Sequence, residues 1–548
     1  MKILKKAYHN YPVVLLLLLG VLIFITNLDV LMVNIMEARN FISAREMLTH
    51  NNWIFTTMNE AARYEKPPFP TWLTAISAYL FGMESLFAYR LPAALTSIFL
   101  SFIFYKLQLL LVIKKKLAFI SSLILMTSFY IIFSGRDGQW DIFTHAFMMG
   151  CIYFIIRLFK TKKNNYPYAI FAGLFFGISV LSKGPVSLYA LFLPFLIAYG
   201  ISYKFKNLSE KWPALLLFLI VGVSSGAWWS VVVHYYDAEA FAAVAELESS
   251  RWLNYNVRPI WYYWSFFTQS GIWTIPAFVS LFYWYLKPRV SNLKAYRFYI
   301  LWTLFSVVLL SLIPEKKSRY LLPVLIPLAL TTGFYVEYII KNFRQGLSKI
   351  ERFPVYLNFI VLAIIAIAAP FVLYNFFGEV IWEKSFSFVL VSIALLLMGA
   401  GFVFGLLKKK PKLLFGLQFL MILAILNFGF PLAELISPHR NVPNIATLIK
   451  FEEAENIRIY EASGIIPEFI FEYGKPMPIV KSEEELPTQA NDNKFGILVS
   501  QEEKPEWQEK FRSYNFKLID TLDLNPTMDK GKNSRLIREF YVLTKKQS

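Results

Sequence analysis

Between Tyr11 and Pro431 the chain repeats one pattern, an apolar run followed by a short polar break. The runs approach the twenty or so residues that cross a bilayer core. They predict about thirteen membrane-spanning helices. These lie near 11–28, 90–112, 117–134, 143–159, 167–182, 186–203, 212–234, 271–287, 298–313, 321–340, 355–375, 386–407 and 413–430. The stretch 69–82 is apolar but short and polar-edged, which predicts a helix lying in the membrane interface. From about Ile436 the pattern changes. Charged residues become frequent, and apolar residues come in short runs such as Ile457–Tyr460, Met477–Val480, Phe495–Val499 and Phe540–Leu543, with helix-like segments between them. The expected architecture is therefore an all-α polytopic membrane part over 1–435, with an outer loop at 29–89, and a small soluble α/β domain over 436–548.

Composition agrees with this reading. Of 548 residues, 56% are hydrophobic, 18% aromatic and only 17% charged, with mean hydropathy +0.47. The net charge of +18 does not point to nucleic acid, because the Lys and Arg gather in one set of breaks. These are Lys114–Lys116, then Arg157 with Lys160, Lys162 and Lys163, then Lys204, Lys206 and Lys211. Lys287–Arg297, Lys341–Arg352 and Lys408–Lys412 complete the series. All fall on the side of the N-terminus if 69–82 does not cross, and that side is the cytoplasm. The loops 29–89, 135–142, 235–270 and 314–320, and the C-terminal domain, are then periplasmic. The N-terminus carries Lys2, Lys5 and Lys6 before an apolar run with no small-residue cleavage site, so the first span is expected to be retained. Cys151 is the single cysteine, which excludes an internal disulfide and a cysteine metal site.

The periplasmic loops hold the residues with chemistry to explain. In Glu65-Lys66-Pro67-Pro68 two prolines fix an extended chain and hold a carboxylate and an ammonium where the loop returns to the membrane. Loop 135–142 carries Asp137 and Asp141, and Asp141 is placed to cap the span that follows. Lys183-Gly184-Pro185 and Glu315-Lys316-Lys317-Ser318-Arg319-Tyr320 put cations on the side that should be poor in them. Two such exceptions suggest anion binding there, and a phosphate at the membrane surface fits. Glu37 sits on a helical stripe with Phe41 and Ala44.

The chain resembles the bacterial relatives of protein O-mannosyltransferases, the group that includes lipid A aminoarabinose transferase. The resemblance runs over roughly 30–330. It is carried by Glu37-Ala38-Arg39, Ala44-Arg45-Glu46-Met47, Arg63-Tyr64-Glu65-Lys66-Pro67-Pro68, Arg90-Leu91-Pro92, Asp141, Lys183-Gly184-Pro185 and Arg319-Tyr320-Leu321-Leu322-Pro323 in that order. It implies a GT-C-like glycosyltransferase of the inner membrane that uses a polyprenyl-phosphate sugar. It also implies that Lys66 and Glu65 form the outer-loop pair near the lipid phosphate, that Tyr320 lies near it, that Lys316 falls at a basic position of the family, and that Asp141 is the second acidic position. The family usually has Asp-Glu in the first outer loop. Here the pair is Met36-Glu37, which leaves Glu37, Asp141 or Asp137 to act as the catalytic carboxylate, or a chemistry that needs no base.

The expected activity is transfer of a sugar from polyprenyl phosphate to lipid A, a polysaccharide or a protein. The catalytic residues would be Glu37 and Asp141. Glu65, Lys66, Asp137, Lys183, Lys316, Arg319 and Tyr320 would bind lipid phosphate and sugar. The alternatives are a non-catalytic lipid-linked sugar binder or transporter, and a lipid-linked oligosaccharide ligase. A transporter would show mid-membrane polar groups and an internal repeat, which this sequence lacks. Glu37, Asp137, Asp141 and His145 could offer ligands to a divalent ion, but no cofactor is expected.

Overall fold

A computed structural model describes residues 10–112, 114–162, 164–344, 346–436, 445–483, 494–526 and 531–546. Lys2, Lys5, Lys6 and Lys163 of the orientation argument lie outside them. The chain divides into two compact units, residues 1–29 with 64–431, and residues 30–63 with 432–548. Segment 30–63, expected to belong with the membrane part, thus folds with the C-terminal segment.

The first unit is helical. Eight helical stretches among the described residues are long and apolar enough to cross a membrane, nine if one bent pair counts as a span. The chain is a multi-pass membrane protein. One of the eight, Lys349–Leu407, contains two helices, Lys349–Phe377 and Ser385–Leu407, joined at Gly378. The remaining difference from the expected thirteen has local causes. The first run yields a helix of only 13 residues, Pro12–Phe24, and run 186–203 a 5-residue π-helix, Leu188–Phe192, with a 10-residue helix, Leu193–Ser202. Run 117–134 breaks into Lys115–Met126 and Phe129–Gly135, bent by 66°. Thr127 stabilises the break by accepting from Trp273 Nε1 at 2.8 Å. Run 271–287 begins at Gly271, whose φ of +64° ends helical continuity, and continues as helices of 7 and 4 residues. The apolar stretch 69–82 forms the helix Phe69–Phe81, opened by Pro70.

Two helices that position the site pack through glycine. Gly173 and Gly177 on Tyr166–Lys183 face Gly222 and Gly226 on Leu208–Tyr236. A Cβ on Gly177 would lie 2.0 Å from Ser225 Oγ and 3.0 Å from the Gly226 backbone nitrogen. Small residues at this spacing let helix backbones approach closely in a membrane. Gly177→Ala is therefore expected to cost about 1–3 kcal/mol, read as a lowered melting temperature in detergent. Gly416→Ala, where an added Cβ meets nothing within 4 Å, is the control that should leave it unchanged.

Buried arginines close the turn after Pro12–Phe24. Arg136 donates to the carbonyls of Ile23, Thr26 and Asn27 at 2.8, 2.7 and 2.6 Å, and Arg90 donates to that of Leu28 at 2.9 Å. Cations at a helix C-terminus satisfy carbonyls that have no partner within the helix.

The second unit contains a hairpin, β1 (Thr57–Met58) with β2 (Ala61–Ala62), and a four-stranded sheet. Its strands are β3 (Ile459–Glu461), β4 (Lys494–Val499), β5 (Tyr514–Asp523) and β6 (Ile537–Lys545), in the order β3-β4-β6-β5. Only β3 and β4 are parallel. The small α/β part expected from the sequence is thus present. The helix Ile35–Thr49 joins it. Ile42 enters the core with Ile459, Phe469 and Phe540, and Arg45 donates to the carbonyls of Ile470 and Phe471 at 3.0 Å each.

Inside this sheet Glu461 accepts from Arg538 Nε at 3.1 Å, both groups being buried. Burial outweighs the arginine and pushes the Glu461 carboxyl up to about 7. A carboxyl raised on folding contributes stability that is fully present below its ordinary value and is lost as pH rises through about 7. Protection factors of β3 and β6 amides in hydrogen exchange should therefore fall between pH 5 and 8. At about 1.4 kcal/mol per pKa unit the loss is a few kcal/mol. Glu461→Gln, a neutral stand-in for the protonated carboxyl, should keep the low-pH protection of wild type and remove the slope.

Candidate active site

The site is built in the first unit from the ends of helices. Asp141 opens Asp141–Lys160, and Lys183 closes Tyr166–Lys183. The acidic group therefore stands at a helix N-terminus and the cation at a C-terminus, each favoured by the helix dipole. Both side chains are buried, and Lys183 Nζ bonds directly to Asp141 Oδ1. One turn deeper, Thr144 Oγ1 donates to the Ser179 carbonyl at 2.9 Å, and Ser179 Oγ bonds the Thr144 carbonyl at 2.6 Å. That reciprocal tie sets the register that brings the ion pair together.

Tyr320 lies against it. Lys183 Nζ is 5.5 Å from the Tyr320 ring centre, Lys317 Nζ 5.8 Å and the Arg319 guanidinium 5.9 Å. The Tyr320 hydroxyl donates to Glu315 Oε1 at 3.0 Å, and Lys317 pairs with the same carboxylate at 2.6 Å. Lys183 acts electrostatically with Asp141, Arg319 and Lys66, and Asp141 with Lys183, Arg319 and His145. Tyr130, on the bent helix, interacts with Asp141, Arg319 and Asp137. The buried Arg319 Nε has no hydrogen-bond partner among the described residues.

Lys66 pairs with Glu248 Oε2 at 3.0 Å, and Glu248 Oε1 accepts from Arg251 at 3.0 Å. Burial pushes the Glu248 carboxyl up, but Lys66 and Arg251 together draw it below the ordinary carboxylate range. Next to Lys66, Tyr64 donates to Asp237 Oδ2 at 2.7 Å. Burial first, then Asp237, raises the Tyr64 hydroxyl above its usual range, so it stays a donor.

Loops 235–270 and 314–320 are joined edge to edge. Arg258 N donates to the Pro314 carbonyl at 3.2 Å, and Lys316 N to that of Asn256 at 3.1 Å. Lys316 spends its ammonium on this junction, donating to the carbonyls of Ile313 at 2.6 Å, Arg258 at 3.0 Å and Pro314 at 3.4 Å. Three donors meet three carbonyls, so Lys316, expected at the phosphate, holds two loops together instead. Lys317 and Arg319 are the cations this loop turns to Tyr320.

The chain is similar to known proteins by sequence and by fold. A family model for dolichyl-phosphate-mannose-protein mannosyltransferase matches residues 65–229. An undecaprenyl phosphate-alpha-4-amino-4-deoxy-L-arabinose arabinosyl transferase of Proteus mirabilis is 23% identical, over 56% of this chain and 56% of that one. The chain thus matches little more than half the length of that relative. An uncharacterised protein of Aquifex aeolicus is 25% identical over 76% of this chain and 78% of its own. The crystal structure of ArnT from Cupriavidus metallidurans bound to undecaprenyl phosphate superposes with TM-score 0.70 at 16% identity, over 97% of both chains. This is an aminoarabinose-transferase-like GT-C fold.

Within that aminoarabinose-transferase-like fold, Lys66, Asp141, Lys183, Arg319 and Tyr320 share one electrostatic neighbourhood. Asp137 is buried, accepts from Gln139 Nε2 at 2.6 Å and reaches the group through Tyr130. Glu65 is half-buried before the two prolines. Glu37 belongs to the other unit. There it completes a capping box, accepting from Asn34 N at 3.3 Å while Asn34 Oδ1 accepts from Glu37 N at 3.2 Å. Among the described residues no three His, Cys, Asp or Glu side chains meet in a way that could hold a metal ion. Sequence reasoning missed Tyr130, Glu248, Arg251, Glu315 and Lys317. Only Glu315 and Lys317 carried a signal, as neighbours of the out-of-place cations.

Proposed function

We propose that the chain is an integral membrane glycosyltransferase that moves a sugar from a polyprenyl-phosphate donor to a periplasmic or lipid acceptor. The carrying observation is that the buried Lys183–Asp141 pair at two helix ends lies against Tyr320 and within the electrostatic reach of Arg319 and, at Lys183, of Lys66. Lys183 is paired with Asp141 and Lys66 with the part-exposed Glu248, so a phosphate would meet the charge of Arg319 and compete with Glu248 for Lys66. The names of the curated relatives favour undecaprenyl phosphate as the carrier and an aminoarabinose as the sugar. Lipid A is the acceptor most in keeping with that donor.

In the reaction the acceptor oxygen bonds to the anomeric carbon as the carbon–phosphate oxygen bond breaks. The electron pair leaves on the phosphate, and Lys66, Lys183 and Arg319 stabilise the charge that develops there. The hydroxyl proton passes to Asp141, a contribution of about 10²–10⁴-fold. Transfer from a radiolabelled lipid-linked sugar by Asp141→Asn tests the assignment. A drop in that range supports Asp141 as the base, and full turnover removes it. The protein resides in the inner membrane, with the N-terminus cytoplasmic and the site and C-terminal domain periplasmic. The one-sided Lys and Arg supports this orientation. A cysteine at exposed Glu239, in Cys151→Ser protein, should label from the periplasm in intact cells, and labelling only after lysis would reverse the orientation.

A further inference from the structure

We propose that Glu248 is an internal stand-in for the lipid phosphate, and that the helix Ala238–Asn254 is displaced from Lys66 when a phosphate-bearing lipid binds. The proposal rests on the reading of Lys66 as a phosphate ligand. The Glu248 carboxylate sets one oxygen on Lys66 and the other on Arg251, each at 3.0 Å. A carboxylate oxygen on the Lys66 ammonium occupies the place a phosphate oxygen would take there.

The stand-in is built to leave. The side chains of Lys66, Glu248 and Arg251 are 19%, 30% and 40% exposed, so water can take over each charge. Ion pairs this exposed contribute about 0–1 kcal/mol. The helix is lightly held as well. Ala240, Phe241, Val244, Glu248 and Arg251 form one half-buried stripe, and none of its described side chains is fully buried. Among the described side chains its polar ties run to one short segment, Asp237 to Tyr64 just before its first turn and Glu248 to Lys66 near its end. A phosphate monoester carries more charge than a carboxylate and offers three oxygens, so it competes well for Lys66. Displaced, Glu248 moves into water and leaves no buried charge behind.

The test uses the full chain in nanodiscs and two probes, undecaprenyl phosphate and undecaprenol. Glu248→Gln should bind undecaprenyl phosphate about tenfold more tightly than wild type and undecaprenol equally. Hydrogen exchange across 238–254 should rise when undecaprenyl phosphate is added to wild type, and should be raised without lipid in Glu248→Gln. Glu239→Gln, on the exposed face of the same helix, should match wild type throughout. Equal or weaker phosphate binding by Glu248→Gln, with wild type still preferring phosphate to alcohol, overturns the stand-in and leaves the Lys66 reading intact. A wild type with no preference between the two lipids overturns both.

Discussion

Lys183→Met is expected to abolish sugar transfer and to destabilise the membrane unit by about 3–5 kcal/mol, because it leaves Asp141 charged, buried and unpaired. The Thr144–Ser179 tie keeps the carboxylate where it is, so relaxation toward water is restricted. A buried pair replaced on both sides by neutral groups loses little stability, because desolvation cancels most of the attraction. Asp141→Asn combined with Lys183→Met should therefore recover most of the melting temperature lost by Lys183→Met alone. Activity should not return with it. The proposed mechanism needs a cation beside the departing phosphate, and the double variant has none at 183. Recovery of stability and activity together would reduce the pair to a structural fastening.

Lys66→Ala is expected to show the opposite balance. Its partner Glu248 is 30% exposed, so the stability change should stay within about 1 kcal/mol. Transfer should fall by roughly 10²–10³-fold, the usual consequence of removing one preorganised group from developing negative charge. Lys66→Arg keeps the charge but changes its shape and donor geometry, so it should recover only part of the rate. A Lys66→Ala enzyme with wild-type turnover would take Lys66 out of the site.

Much of this was legible in the sequence, for identifiable reasons. Lys183 and Arg319 stood out because cations on the periplasmic side break the orientation bias, and both are near Tyr320. Lys316 broke the same bias and was grouped with them. Sequence does not distinguish an ammonium facing a ligand from one facing three carbonyls, since that depends on the fold of residues 256–258, about sixty positions earlier. The Asp141–Lys183 bond joins groups 42 residues apart through helix register, which hydropathy does not encode. Glu248 was invisible because an acidic residue on a polar loop helix is unremarkable until its partner is known.

The fold divides along the same line. Apolar runs located the helices, but not the 66° break at Thr127-Ser128, since hydroxyl side chains sit comfortably in an unbroken helix too. The four-stranded sheet followed from its short apolar runs. The membership of 30–63 in that unit did not, because it rests on contacts such as Phe41 with Phe471, rings 5.5 Å apart in space and more than 400 residues apart in sequence. The glycine spacing at 173, 177, 222 and 226 was available to inspection, and only its pairing needed the structure.

The central claim is that separate loops and helix ends form one grip for a lipid-borne phosphate. It is tested most directly by equilibrium binding of undecaprenyl phosphate and undecaprenol to wild type and to Lys66→Ala with Arg319→Ala. The account predicts that wild type prefers the phosphate lipid by at least about tenfold, and that the double variant binds both lipids alike while keeping its melting temperature. A folded double variant that retains the full preference would place the phosphate elsewhere and contradict the account.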